Sequence, residues 1–107
     1  MSSPNKQAVL VHVDGLNLSK EIYDEYDLAT LEDQLIEMIE SKSLGEFDGN
    51  EFGPDGAVLY MYTPSAENLF SNIEPILRAH PLCQNARVVI RQGGPGAQQR
   101  EVLLPKS

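Results

Sequence analysis

Apolar side chains fall at every second position over Gln7–Val13 (QAVLVHV), with Val9, Val11 and Val13 on one face and Leu10 and His12 on the other; the turn pair Asp14-Gly15 closes the run. This period of two, rich in β-branched residues, predicts a strand. Leu28, Leu31, Leu35 and Ile39, with Met38 beside them, recur at helical spacing. Asp27 or Thr30 offers the N-cap oxygen and Gly45 the stop. Between these two elements, residues 16–26 are too many for a tight connection and carry Ile22, Tyr23 and Tyr26, which suits either a helical turn or an edge strand. Glu46–Phe52 (EFDGNEF) alternates poorly around Gly49, as an edge strand with a bulge would, and Gly53-Pro54-Asp55-Gly56 turns the chain into Ala57–Thr63 (AVLYMYT). A second helix follows, capped by Ser65, striped by Leu69, Phe70, Ile73, Ile76 and Leu77, bent at Pro75 and ended by His80-Pro81. Ala86–Gln92 and Arg100–Leu104 then form a hairpin around the glycine-rich segment 93–97.

Strand, helix, strand, strand, helix, strand, strand is the order of an α+β, ferredoxin-like βαββαβ sandwich with an added C-terminal strand. Right-handed crossovers place Gln7–Val13 beside Ala57–Thr63 at the centre of a mainly antiparallel sheet, with both helices on one face. The central run AVLYMYT is apolar on both of its faces, yet two helices with one apolar stripe each shield only one side of the sheet. If Val9, Val11, Val13, Leu59, Met61, Val88 and Ile90 face the helices, the uncovered side carries Leu10, His12, Val58, Tyr60, Tyr62, Arg87, Val89 and Arg91.

At 107 residues, 41% apolar and 22% charged, the chain suits a single domain over residues 1–107, with flexible tips at 1–6 and 105–107. No run is long and apolar enough for a signal peptide or a membrane span, and Cys83 is the only cysteine, which excludes an internal disulfide. A reducing, cytoplasmic setting is the expectation. The net charge of -8 is lopsided: residues 1–53 carry twelve acids against three lysines, whereas the remainder has four acids against five bases. Such a field opposes nucleic acid and favours a basic partner, with Glu32, Glu37 and Glu40 on the first helix as its docking acids.

Two tyrosines, a histidine and two arginines on one sheet face suit base stacking, but neither signature of an RNA-recognition sheet is present. The loop from Asp48 to Asp55 has oxygens and glycines, but read as a calcium loop it puts Phe52 at a ligand position and Leu59 where the bidentate acid belongs, so turn formation explains it better. His12 and Asp14 could be a base and its orienter, but residues two apart on a strand more often pack or bond locally. Cys83 lacks basic neighbours and is expected to be inert. The glycines at 93–96 lead into a strand, not into the helix N-terminus that holds phosphate. No metal, cofactor or catalytic constellation is called for.

The segments GEFDGNEFG (Gly45–Gly53) and LYMYTPSAENLF (Leu59–Phe70), followed by Glu74-Pro75-Ile76-Leu77 and the strand ARVVIR, resemble a group of small bacterial α+β proteins to which no activity is assigned. The resemblance implies a bacterial cytoplasmic domain and transfers no site residue. On these readings the chain is expected to be a non-catalytic interaction or regulatory module. It would bind a second copy as a homodimer, or a basic protein, through the open sheet face (His12, Tyr60, Tyr62, Arg87, Arg91) and the acidic helix. The alternatives are a sensor holding a small anionic ligand on the same face, and an enzyme in which His12, Tyr60 and an acid from residues 48–51 converge.

Overall fold

The computed structural model describes residues 5–105; most of the two tips expected to fray lies outside the described residues. Strand β1 (Gln7–Asp14) leads through helix α1 (Lys20–Glu25) and helix α2 (Leu28–Ser41) to β2 (Glu46–Gly53) and β3 (Gly56–Thr63); helix α3 (Ala66–Ala79), a 3-10 turn (Pro81–Cys83), β4 (Arg87–Arg91) and β5 (Gln99–Leu103) follow. The strands form one sheet in the order β2-β3-β1-β4-β5, and every neighbouring pair is antiparallel. The architecture is α+β: three helices and a five-stranded antiparallel sheet among the described residues. β1 lies between β3 and β4, with Val11 opposite both Leu59 and Val88.

The core forms where the helices lie. Val9, Val11, Leu59, Met61, Val88 and Ile90 point from the three central strands into one cluster with Leu31, Leu35 and Ile39 of α2 and Leu69, Ile73 and Leu77 of α3, all essentially inaccessible. Both helices start where a side-chain oxygen satisfies an orphan backbone donor: the Asp27 carboxylate accepts from the Thr30 N–H at 2.8 Å, and the Ser65 hydroxyl accepts from the Asn68 N–H at 3.3 Å. Pro75 does not end α3, which continues to Ala79; the proline sits on the exposed side. The buried Thr63 hydroxyl joins layers, donating to the Leu44 carbonyl at 2.7 Å and accepting from the Ser65 N–H at 3.1 Å. Arg100 ties the outermost strand to α3 through two 2.7 Å bonds to the Glu67 carboxylate, with its guanidinium 5.7 Å from the Phe70 ring centre.

One open choice is settled and two local expectations change. Residues 16–26 resolve into the short helix α1, capped by Ser19 and pinned by Tyr23, whose hydroxyl donates to the Asp14 carbonyl at 2.9 Å and accepts from the Leu18 N–H at 3.1 Å. Gly45 is not the stop of α2: the helix ends at Ser41 and the chain turns through a left-handed conformation at Ser43 (φ 53°). Gly45 is needed instead for close approach, because a Cβ there would lie 2.2 Å from the Tyr62 carbonyl oxygen. The strand ends also shift by a residue, with β4 at Arg87–Arg91 and β5 at Gln99–Leu103. The bulge in β2 falls between Phe47 and Gly49.

Candidate functional site: the open sheet face

The side of the sheet away from α2 and α3 is organised by cross-strand register into three rungs. From β2 to β5 they read Glu46, Tyr62, Ala8, Arg91, Gln99; then Gly49, Tyr60, Leu10, Val89, Glu101; then Glu51, Val58, His12, Arg87, Leu103. The five face residues expected to act together, His12, Tyr60, Tyr62, Arg87 and Arg91, thus share one surface. The middle of that surface is apolar: Leu10, Val58, Tyr60 and Tyr62 are half-buried, while Ala8 and Val89 are buried between larger neighbours. Its two flanks differ in sign. Exposed Glu46 and Glu51 stand on β2, and the two arginines stand on β4. Leu103 on β5 is 73% exposed, which extends the apolar surface to the outer edge.

The charged groups are committed to different degrees. Arg87 donates to the Glu101 carboxylate across the β4–β5 pair at 2.6 Å. The Arg91 Nε donates to the Gly93 carbonyl at 2.8 Å, and among the described residues no carboxylate pairs with it. The Tyr60 hydroxyl donates to Glu51 at 3.2 Å; partial desolvation and then the neighbouring carboxylate push its pKa up, so the ring stays a neutral donor. Burial, reinforced by the Arg87 charge and opposed by Glu101, holds His12 below the usual imidazole range and favours its neutral form.

At one end the face runs into a groove of about 650 Å³ lined by His12, Asp14, Glu51, Asn85, Arg87 and Leu103. Asp14 forms the end wall, and both of its carboxylate oxygens accept hydrogen bonds there. One carboxylate oxygen accepts from the Leu16 and Asn17 N–H groups at 2.9 and 3.0 Å, and the other accepts from the Asn85 amide at 3.2 Å. These bonds hold its pKa below the ordinary value despite partial desolvation, and none of them joins Asp14 to His12. His12 and Glu51 share this groove, but Tyr60 does not line it: its hydroxyl donates to Glu51 from the neighbouring rung, and Val58 stands between Glu51 and His12 in theirs. Cys83 is buried beneath the helices and burial alone pushes its thiol up to about 12, outside nucleophilic use. Among the described residues no group of three or more His, Cys, Asp or Glu is placed to share a metal ion, and no helix is long and apolar enough to cross a membrane.

The acidic helix is a separate surface. α2 packs on the helical side of the sheet, so its exposed acids, Asp33, Glu37 and Glu40, face away from the tyrosine layer. Glu32 is half-buried and accepts from the Asn50 amide of β2, an internal tie. Two contributors to the open face had no signal strong enough to single them out in the sequence, Glu46 at the β2 edge and Glu101 beside Arg87; Glu51 entered only as one of the acids of residues 48–51. Asn85 did carry a signal, since asparagine is among the few residues that tolerate its left-handed backbone (φ 64°). No family model, curated protein or solved structure matches the chain, so the functional reading rests on where these side chains stand.

Proposed function

We propose that the chain is a non-catalytic interaction or regulatory module, built as a ferredoxin-like sandwich with an extra strand, and that its open sheet face is the recognition surface. The order β2-β3-β1-β4-β5, with helices on one side, supports the ferredoxin-like assignment. One observation carries the function: an apolar layer of Leu10, Val58, Tyr60 and Tyr62 lies on a sheet side that none of the described helices covers, between an acidic and a basic flank. Tyrosines there supply large contact area at small entropic cost with a hydroxyl left at the rim, the composition of protein–protein contacts rather than of a catalytic cleft. The occupant is another polypeptide, a second copy or a partner protein; a basic partner would also be drawn to Glu37 and Glu40 of α2, by a separate contact on the other side of the molecule.

A second reading has the groove as its support: a small anionic ligand seated between His12 and Arg87. Glu101 already neutralises Arg87 and Glu51 adds negative charge, which weighs against it.

The test compares association of the native chain with that of a Leu10→Ser/Tyr60→Ser face variant and a Glu37→Gln/Glu40→Gln helix variant, using co-purification and sedimentation with far-UV circular dichroism as the folding control. The face variant is expected to lose its associates while keeping its fold, and the helix variant to keep any that sit on the sheet. Retention of every associate by a folded face variant would overturn the reading.

A further inference from the structure

We infer that the occupant of the open face is a second copy of this chain, related by a two-fold axis that runs along the strands over β1. The inference rests on the proposed use of the sheet face and adds its partner and geometry.

A closed dimer using the same face in both copies is isologous, so its two-fold axis lies between the sheets and parallel to them. Aligned sheet packing, about 10 Å apart and within roughly 30° of parallel, leaves two choices: the axis runs nearly along the strands or nearly across them. The rungs decide between the two. With the axis across the strands, each strand meets its own copy with the rungs reversed. Arg87 then lies against Arg91, and Glu46 against Glu51, so like charges meet on both flanks while water is excluded.

With the axis along β1, the middle strand of five, β3 meets β4 of the other copy and β2 meets β5. Each rung then meets itself reversed. The Tyr62 ring lies opposite the Arg91 guanidinium, a stacking partner for the arginine that has no carboxylate of its own. Tyr60 meets Val89, and Leu10 meets Leu10 on the axis. Glu46 and Glu51 come to lie over β5, offset sideways by one strand spacing of about 4.8 Å from Arg91 and Arg87 of the second copy across the roughly 10 Å between the sheets, a gap that the long side chains span. Glu101, the one acid on the basic flank, falls opposite Gly49, which has no side chain to oppose it. The sign difference between the flanks, which a monomer does not need, becomes complementary twice over.

The face is modest in size. Five strands about 4.8 Å apart, each contributing five to eight residues of about 3.4 Å, give roughly 400 to 650 Å² per copy. That places the pair near the lower limit of specific interfaces, in the range of exchanging dimers.

The experiment is sedimentation equilibrium of the full chain from about 1 µM to about 1 mM at low and moderate salt. The native chain is expected to form dimers. Glu46→Lys/Glu51→Lys, on an exposed edge strand, and Arg87→Glu/Arg91→Glu are each expected to weaken self-association at least about tenfold. An equimolar mixture of the two variants should restore a dimer, because the lysines of one variant then meet the introduced glutamates of the other while the two native flanks meet each other, and so should the chain carrying all four changes. If the arginine variant does not fold, the lysine variant alone still decides, since it removes only the Tyr60 bond to Glu51. A native chain monomeric throughout the range overturns the second copy, while a partner lost from the Leu10→Ser/Tyr60→Ser variant would leave the sheet-face reading standing. Flank variants that self-associate as tightly as the native chain overturn the axis.

Discussion

Gly56 and Gly49 allow one clash to be separated from one conformational preference. Both have positive φ, 147° and 126°, in a region that costs an L-residue roughly 1–3 kcal/mol. Their surroundings differ. A Cβ on Gly56 would lie 2.0 Å from the Val13 carbonyl oxygen and 2.8 Å from the Gly15 nitrogen, whereas a Cβ on Gly49 would meet nothing within 4 Å. Gly56→Ala therefore has to push the end of β1 more than an ångström away from β3, opening the last rung, where Asp14 pairs with Gly56, and the 2.9 Å bond from the Gly15 N–H to the Asp55 carbonyl.

Each opened bond adds about 1 kcal/mol to the strain. Loss of unfolded-state freedom returns about 0.4–1 kcal/mol in both variants. The balance is about 2–4 kcal/mol of destabilisation for Gly56→Ala and about 0–2 kcal/mol for Gly49→Ala, against a total of about 5–16 kcal/mol for a chain of this length. At about 4–6 °C per kcal/mol, thermal unfolding followed by far-UV circular dichroism should show a fall of about 10–20 °C for Gly56→Ala and under about 10 °C for Gly49→Ala. Equal shifts would show that backbone conformation alone governs both sites. A Gly56→Ala chain melting within about 3 °C of native would refute the argument from close approach.

Thr63→Val keeps the shape of the side chain but strips the buried Leu44 carbonyl of its 2.7 Å donor, and urea unfolding should register a loss of about 1–3 kcal/mol. The Cys83 thiol, raised to about 12 by burial, should resist an aromatic disulfide reagent at pH 8 in the native chain and react fully in denaturant; prompt native reaction would contradict its burial. Stability should fall as pH drops below about 6.5, because His12 and His80 are both held below the usual imidazole value and the unfolded chain therefore binds more protons in that window. His80 is the sharper case: its Nδ1 accepts from the Leu82 N–H at 3.2 Å, a bond that protonation removes, and unfolding curves that do not change between pH 7 and pH 5 would contradict this.

Most of the fold was legible because its long elements repeat. Val9, Val11 and Val13 alternate, and Leu31, Leu35 and Ile39 keep helical spacing, so the surface each buries is written locally. α1 has no such record. Its six residues bury no side chain, and what holds it is the Tyr23 hydroxyl between Leu18 and Asp14, a tertiary arrangement. Gly45 has the residue type of a helix stop, since glycine often ends helices, whereas here the chain crosses β3 so closely that no Cβ fits. The face residues followed from the same alternation, but their charge state did not. The Arg87–Glu101 bond joins residues fourteen apart whose meeting depends on the register of the β4–β5 hairpin, and the tie between Glu32 and Asn50 depends on where β2 passes α2.

The placement of the acids bears on how two such chains could meet at all. Each copy has a net charge of -8, which opposes association, yet the flanks of the sheet face attract. The two effects have different ranges. Glu37 and Glu40 lie on the helical layer, about 10 Å behind the sheet and further still from a second copy seated on its open side. At physiological salt the screening length is about 8 Å, so their repulsion is largely removed, whereas at 0.01 M it reaches about 30 Å and spans the whole of the proposed dimer. In that dimer, contacts between Glu46 or Glu51 and the arginines act at short range and weaken only as salt rises further. Self-association measured by sedimentation should therefore pass through a maximum at intermediate ionic strength. Glu37→Gln/Glu40→Gln should strengthen it near 0.01 M and leave it unchanged near 0.15 M. A monotonic fall with salt from the lowest concentration, unaltered by that variant, would mean that the attraction between flanks outweighs the net charge at every distance and that the acids of α2 play no part in keeping the copies apart.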